Sequence, residues 1–199
     1  MGSASLARVP RVQGVPILFG LRTVSAMASF DKSFAKLDAL EGGYSNLKAD
    51  KGGETYRGIA RNFWPNWAGW AIVDRYRSAA NFPACLNDDA GLGFLVYKFY
   101  RETFWLYDGV IVQELADKIF QTAVNGGPPE AHMLLQRALG VYVDGQFGPK
   151  TLAALNAANP TNLLKELGVR QAVFYAKVYA KNTAAYEQFL LGWMRRAFS

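Results

Sequence analysis

The sequence predicts a mainly α-helical protein with one small β-hairpin beside its first helix. Three observations lead there. Apolar residues recur every three or four positions through most of the chain, the spacing of one helical face. These runs stop at clusters of glycine, proline or asparagine, of which Asn125-Gly126-Gly127-Pro128-Pro129 is the strongest. Only residues 44–60 lack the helical period and read as extended chain about a turn.

The first helix starts at Ser29, a suitable N-cap, and carries Phe30, Phe34, Leu37 and Leu40 on one face. Glu41 lies four residues after Leu37 and seven after Phe34, so it continues that face, and Gly42-Gly43 ends the helix. In 44–60 the turn signal is Lys51-Gly52-Gly53, which predicts an irregular hairpin of 44–50 against 55–60. Residues 61–80 are dense in aromatics (Phe63, Trp64, Trp67, Trp70, Tyr76), with Pro65 breaking any continuous helix. Periodicity then predicts helices over 88–105, 112–124, 130–139, 149–158 and 161–191, the last long and amphipathic. Pro149 suits the first turn of its helix. Residues 1–26 read as a flexible leader or upstream extension, 27–127 as one lobe, and 128–199 as a helical segment packed on it.

Composition narrows the chemistry. With 199 residues and 51% apolar content, the chain can bury a sizeable core. Cys85 is the only cysteine, so no intrachain disulfide forms. His132 is the only histidine, which excludes zinc peptidases that need two, and no G-x-S-x-G nucleophile elbow occurs. Half of the net charge of +6 comes from Arg8, Arg11 and Arg22 in the leader, where no acidic residue occurs. No basic run of the kind that grips nucleic acid is present. The mild positive balance of the rest suits an anionic polymer such as a bacterial cell wall, and it equally suits simple solubility. No stretch of about 20 apolar residues occurs, so stable membrane insertion is not expected. The leader has basic residues before Val15-Pro16-Ile17-Leu18-Phe19 and small residues at Val24-Ser25-Ala26, as an export signal would, but Pro16, Gly20 and Arg22 interrupt it. The route of export stays open between such a signal and release through a holin.

Glu41 carries the chemistry. A carboxylate ending a buried helical stripe is desolvated, and desolvation favours its protonated form. A glycosidase needs such an acid to protonate the leaving oxygen, and a second polar group across the cleft. Asp50 follows nine residues later, in a sequence where aspartate also commonly starts turns. Glu54 and Thr55 are either hairpin residues or part of the same set. Trp67 offers a face on which a sugar could stack, although its aromatic run suits a core equally well. Asn125 is first a helix-ending residue and second a polar group for a cleft. Cys85 and His132 lack the surroundings of a nucleophile pair and read as structural. This chemistry calls for no metal or organic cofactor.

The run E-G-G-Y…D-K-G-G-E-T-Y-x-G-I resembles the signature of glycoside hydrolase family 108, lysozyme-like N-acetylmuramidases, some formerly labelled secretion activators. V-N-G-G is similar to a loop of that family. L-Q-R-A-L-G…D-G-Q-F-G-P-K-T-L resembles its C-terminal peptidoglycan-binding segment. The similarity spans roughly 27–199. It implies a lysozyme-like helical fold and cleavage of the β-1,4 bond between N-acetylmuramic acid and N-acetylglucosamine, with Glu41 as the acid. The intervals from Glu41 to Asp50 and Thr55 are also similar to the Glu/Asp/Thr set of phage-type lysozymes. With the catalytic trio go Tyr44, Glu54, Tyr56, Trp67 and Asn125 as expected substrate contacts. Family members often carry an aspartate four residues before the V-N-G asparagine, where this chain has Gln121. Peptidoglycan is the expected partner of a monomer acting in the periplasm or wall. The other readings are a non-catalytic wall-binding module, and a phage or secretion-associated factor that opens the wall beside a holin or secretion apparatus.

Overall fold

The computed structural model describes residues 27–38, 43–46 and 53–198. Helix α1 (Phe30–Asp38) leads into a small sheet, and seven further helices follow: α2 (Gly69–Tyr76), α3 (Ala90–Phe104), α4 (Gln113–Gly126), α5 (Pro128–Leu139), α6 (Pro149–Ala157), α7 (Pro160–Lys181) and α8 (Thr183–Phe198). The fold is mainly helical and lysozyme-like, as expected. None of the described helices is long and apolar enough to cross a membrane.

The expected hairpin is a three-stranded antiparallel sheet, β1 (Tyr44–Ser45), β2 (Thr55–Tyr56) and β3 (Ile59–Ala60), in that order. The extra reversal lies at Arg57-Gly58, both with positive φ, 44° and 77°. Glycine adopts that conformation freely and arginine does not, so the turn lacks the usual Asn-Gly or Asp-Gly signature. Tertiary contacts hold it: the Arg57 N–H donates to the Gly43 carbonyl at 3.1 Å, and the Tyr100 hydroxyl of α3 donates to the Arg57 carbonyl at 2.8 Å.

Two helix boundaries differ from the sequence reading for a local reason. The helix expected over 88–105 is α3, which starts two residues later, after a 3₁₀ turn (Ala84–Asp88), because Asp89 takes the N-cap position and its Oδ1 accepts from the Leu92 N–H at 2.7 Å. The long helix expected over 161–191 is two helices that reverse at Asn182. There the Asn182 side chain accepts from the Ala185 N–H at 3.1 Å, and α8 folds back along α7 with Trp193 stacked on Tyr175 at 5.4 Å. Periodicity is alike on both sides of such a break and carries no information about direction.

One hydrophobic core runs through all of this. Phe30 and Leu37 of α1 join Tyr56 and Ile59 of the sheet, Val96 and Tyr100 of α3, and Ile119 and Phe120 of α4. The same cluster continues to Leu135, Leu155, Leu163 and Leu167 of the C-terminal helices. Each such side chain contributes about 1.5–3 kcal/mol on burial, so the 27–127 and 128–199 parts are stabilised together. Between them Gly127 has φ 85° and ψ 150°, a conformation open to glycine, and Pro128 starts α5.

The C-terminal block is fastened by polar groups. Gln136 is buried, donates to Asp144 Oδ1 (2.6 Å) and the Gln146 carbonyl (2.9 Å), and accepts from the N–H groups of Asp144 and Gly145. The Leu-Gln…Asp-Gly-Gln pattern is therefore a loop clamp. At the chain's far end, Lys118 of α4 donates to the carbonyls of Arg196 and Ala197 at 2.6 and 2.7 Å, satisfying the end of α8, and burial pushes its amine down to about 8.

Candidate active site

Helix α1, which precedes Glu41 in the chain, is fixed by a cluster on α4. The Gln113 side chain accepts from the Ser29 N–H at 2.8 Å and donates to the Ser29 carbonyl at 3.2 Å, Ser33 Oγ at 2.9 Å and Asp117 Oδ1 at 2.7 Å. Ser33 Oγ donates to Asp117 Oδ1, and Lys36 Nζ to Asp117 Oδ2, both at 2.5 Å. That bond to Asp117 raises the Lys36 amine above its ordinary range. Beside this cluster α1, α4 and α7 line an open pocket of about 380 Å³, reached by Leu37, Gln121 and Leu164. Gln121 thus faces the last described turns of α1. None of these anchoring residues carries a signal in the sequence, since their partners are as many as 84 positions away.

Glu41 and Asp50, the two expected catalytic carboxylates, lie outside the described residues, as does Gly42, where the helix was expected to end. By chain order Glu41 belongs to the segment joining α1 to β1, and Asp50 to the connection from β1 to β2. Thr55 is described. The register pairs Tyr44 with Tyr56 and Ser45 with Thr55, then Tyr56 with Ile59 and Thr55 with Ala60. Alternation therefore gives the sheet an inner row, Tyr44–Tyr56–Ile59, and an outer row of small side chains, Ser45–Thr55–Ala60. Thr55 stands in the middle of the outer row, and its hydroxyl donates to the Gly53 carbonyl at 3.2 Å.

The expected substrate contacts fall in different places. Tyr56 is buried in the core, and its hydroxyl donates to the Leu86 carbonyl at 3.1 Å, which corrects its assignment as a substrate contact: it supports the sheet from within. Glu54 is also enclosed, its side chain only 8% exposed, with Arg77 Nη2 at 2.6 Å from one oxygen and Arg61 Nε at 2.7 Å from the other. Asp74 bridges the same two arginines, and their hydrogen bonds hold its carboxyl below the usual range, Arg61 contributing most. Arg61 also covers the Trp70 ring at 4.4 Å. This four-membered network ties the start of β2 to α2 and occupies both Glu54 oxygens.

Tyr44 stands at the edge of the network. Its ring meets Phe82 edge-on at 4.8 Å and its hydroxyl lies 3.4 Å from Arg77 Nη1. Burial, followed by the neighbouring Glu54 carboxylate, pushes its phenol up. Trp67 is half-buried, stacked on Tyr56 and edge-on to Trp70, with its ring over Gly69. A Cβ at Gly69 would stand 2.2 Å from a Trp67 ring carbon, so that position requires glycine for the close approach. The exposed rings of this run are Phe63 and Trp64, which periodicity did not single out. Asn125 is engaged away from the sheet: its Nδ2 donates to the Gln121 carbonyl at 2.7 Å and its Oδ1 accepts from Arg196 Nη1 of α8 at 3.2 Å.

His132 has a structural place. A carbonyl can only accept, so Nδ1–H donates to Gly145 O, and Nε2 accepts from the Tyr107 hydroxyl, each at 3.1 Å. Burial depresses its basicity, and with both nitrogens occupied it has no free site to activate a nucleophile.

Comparisons with known proteins agree with this arrangement. Residues 34–127 match the family described as Glycosyl hydrolase 108, and residues 130–198 match the one described as Predicted Peptidoglycan domain. No curated protein matches the chain. Among solved structures, one titled "Structure of Brucella abortus SagA" matches with a TM-score of 0.58 at 24% identity, over 84% of this chain and 88% of that one. At that identity the likeness is one of fold. The chain thus carries a segment similar to glycosyl hydrolase 108 followed by one similar to a peptidoglycan domain, and the two together support a peptidoglycan hydrolase at family level.

Proposed function

We propose that the protein is an N-acetylmuramidase, cleaving the β-1,4 bond between N-acetylmuramic acid and N-acetylglucosamine by general-acid catalysis. The observation that carries this reading is the strand register. β1 begins three residues after Glu41 and runs antiparallel to β2, with Ser45 opposite Thr55 on the outer row of the sheet. Strand β1, which follows Glu41 in the chain, is thus hydrogen-bonded to the strand that bears the Thr55 hydroxyl. Glu41 donates its proton to the glycosidic oxygen as the bond to the anomeric carbon breaks. Asp50, carried on the β1–β2 connection, stabilises the oxocarbenium-like transition state or orients water. Thr55 exchanges its bond to Gly53 for one to that water. The network of Glu54, Arg61, Asp74 and Arg77 keeps the sheet in place, and Tyr44 at its edge is the remaining candidate to touch sugar.

The test is Glu41→Gln, which is close to isosteric. Release of reducing ends from purified peptidoglycan is expected to fall at least about 100-fold, with the melting temperature unchanged. Activity near wild type removes Glu41 from the acid role. Mass spectrometry of the products checks the bond: reducing ends at N-acetylglucosamine would assign a glucosaminidase instead, and binding without any release of reducing sugar would assign a wall-binding module.

A further inference from the structure

The face of α7 turned toward α5 carries an unusual set of cations. Arg170, Lys177 and Lys181 follow one another at helical spacing, with Val173 and Phe174 between them, and Arg137 of α5 stands opposite. The groove they line has a volume of about 440 Å³ and a floor of apolar side chains that includes Leu134. Its one lining carboxylate is Glu130, whose distance to Arg137 is 3.9 Å, too long for a good hydrogen bond. Arg170 pairs through Nη2 with Glu166 at 2.7 Å, yet its Nε–H is buried without an acceptor. Lys177 and Lys181 have no carboxylate partner among the described residues. Four cations thus converge on a channel that supplies too few anions for them.

The spacing indicates the shape of a ligand. From Arg170 to Lys181 is eleven residues, or about 16 Å along the helix axis. An extended peptide covers that distance in about five residues, at about 3.3 Å each. A neutral glycan has no charge to offer these groups, and the apolar floor suits small alkyl side chains between carboxylates. We propose that the α5–α7 groove is a second binding site, for the short carboxylate-bearing peptide stems of peptidoglycan. It lies within the part matched as a peptidoglycan domain, and it rests on the reading of this chain as a peptidoglycan hydrolase. The stem, held by Arg137, Arg170, Lys177 and Lys181, keeps the enzyme on the polymer while the glycan is presented elsewhere.

The test uses the full chain and two soluble probes in isothermal titration calorimetry: an N-acetylglucosamine–N-acetylmuramic acid disaccharide bearing a tetrapeptide, and the same disaccharide without peptide, its lactyl carboxyl capped as the neutral methylamide. The wild type is expected to bind the peptide-bearing probe about tenfold more tightly than the bare one. The double variant Lys177→Glu, Lys181→Glu loses that preference and binds the bare probe as the wild type does. Lys177→Arg, Lys181→Arg retains it, which keeps the proposal testable even where charge reversal disturbs folding. Equal wild-type affinity for both probes, an undiminished preference in the charge-reversed variant, or tighter binding of a polyphosphate than of the peptide probe would each overturn it. Reducing-end release from stem-free glycan separates this site from the catalytic reading. A wild type without release sinks the muramidase assignment alone, whereas a loss of peptide preference with intact release concerns only the groove.

Discussion

Glu54 is the residue for which a structural and a substrate-binding role lead to opposite measurements. Glu54→Gln keeps the shape of the side chain and removes its charge. The amide oxygen can still accept from Arg77 at 2.6 Å, but the charge that pairs with Arg61, whose Nε lies 2.7 Å from the other oxygen, is lost. Breaking a fully buried ion pair costs about 3–5 kcal/mol because the surviving charge stays desolvated. Here the surviving arginines are 29% and 42% exposed and both keep Asp74, itself 45% exposed. Solvent screening and that second partner bring the cost down to about 2 kcal/mol. For a chain of this size the melting temperature is expected to fall by about 4–8 °C. Thermal melts followed by circular dichroism measure it, and peptidoglycan hydrolysis well below the transition should change by less than about threefold. An unchanged melting temperature with KM raised about tenfold would refute the reasoning, since that pattern belongs to a carboxylate touching substrate.

Two further outcomes test the packing. Burial depresses the basicity of His132 below its ordinary pKa of 6.5, so the unfolded chain binds a proton that the folded one resists. Its contribution is therefore intact above pH 6.5 and lost as pH falls below it. The drop in melting temperature between about pH 7.5 and 5 should be smaller in His132→Gln than in wild type, and equal drops would refute the assignment. At Gly168 a Cβ would stand 2.7 Å from the Ala197 carbonyl oxygen. An alanine there gains about 1 kcal/mol of helix propensity but overpacks at a cost of about 1–3 kcal/mol, for a net loss of about 1 kcal/mol. A melting temperature several degrees lower is expected for Gly168→Ala. A higher one would mean that α8 does not press on α7.

The candidate site was legible in the sequence to different depths. Thr55 and Tyr56 are neighbours, and a period of two says only that they face opposite ways. Which one faces outward depends on the register with Ser45 and Ile59, and the core claims Tyr56. Trp67 carried an ambiguity between sugar platform and core, and its half-buried ring packs onto Gly69, the one residue without a side chain in its way. The expected roles of Glu41 and Asp50 rest on the spacing E-G-G-Y…D-K-G-G-E-T and remain proposals.

The helices themselves followed from local rules. Apolar period, Pro149 in a first turn and the stop at Gly126-Gly127 act through neighbouring backbone, and α4, α5, α6 and the start of α7 appear close to where those rules put them. The polar framework of the site did not follow. Gln113 meets Ser29 across 84 residues, Arg77 meets Glu54 across 23, and Tyr100 holds the Arg57 turn across 43. The reversal of α8 onto α7 has the same origin: Asn182 permits it, and the contact between Trp193 and Tyr175 requires it. Backbone preference is decided within a turn or two of chain. The partner of a buried charge is decided by which distant side chain arrives to neutralise it, and only the packed molecule brings those together.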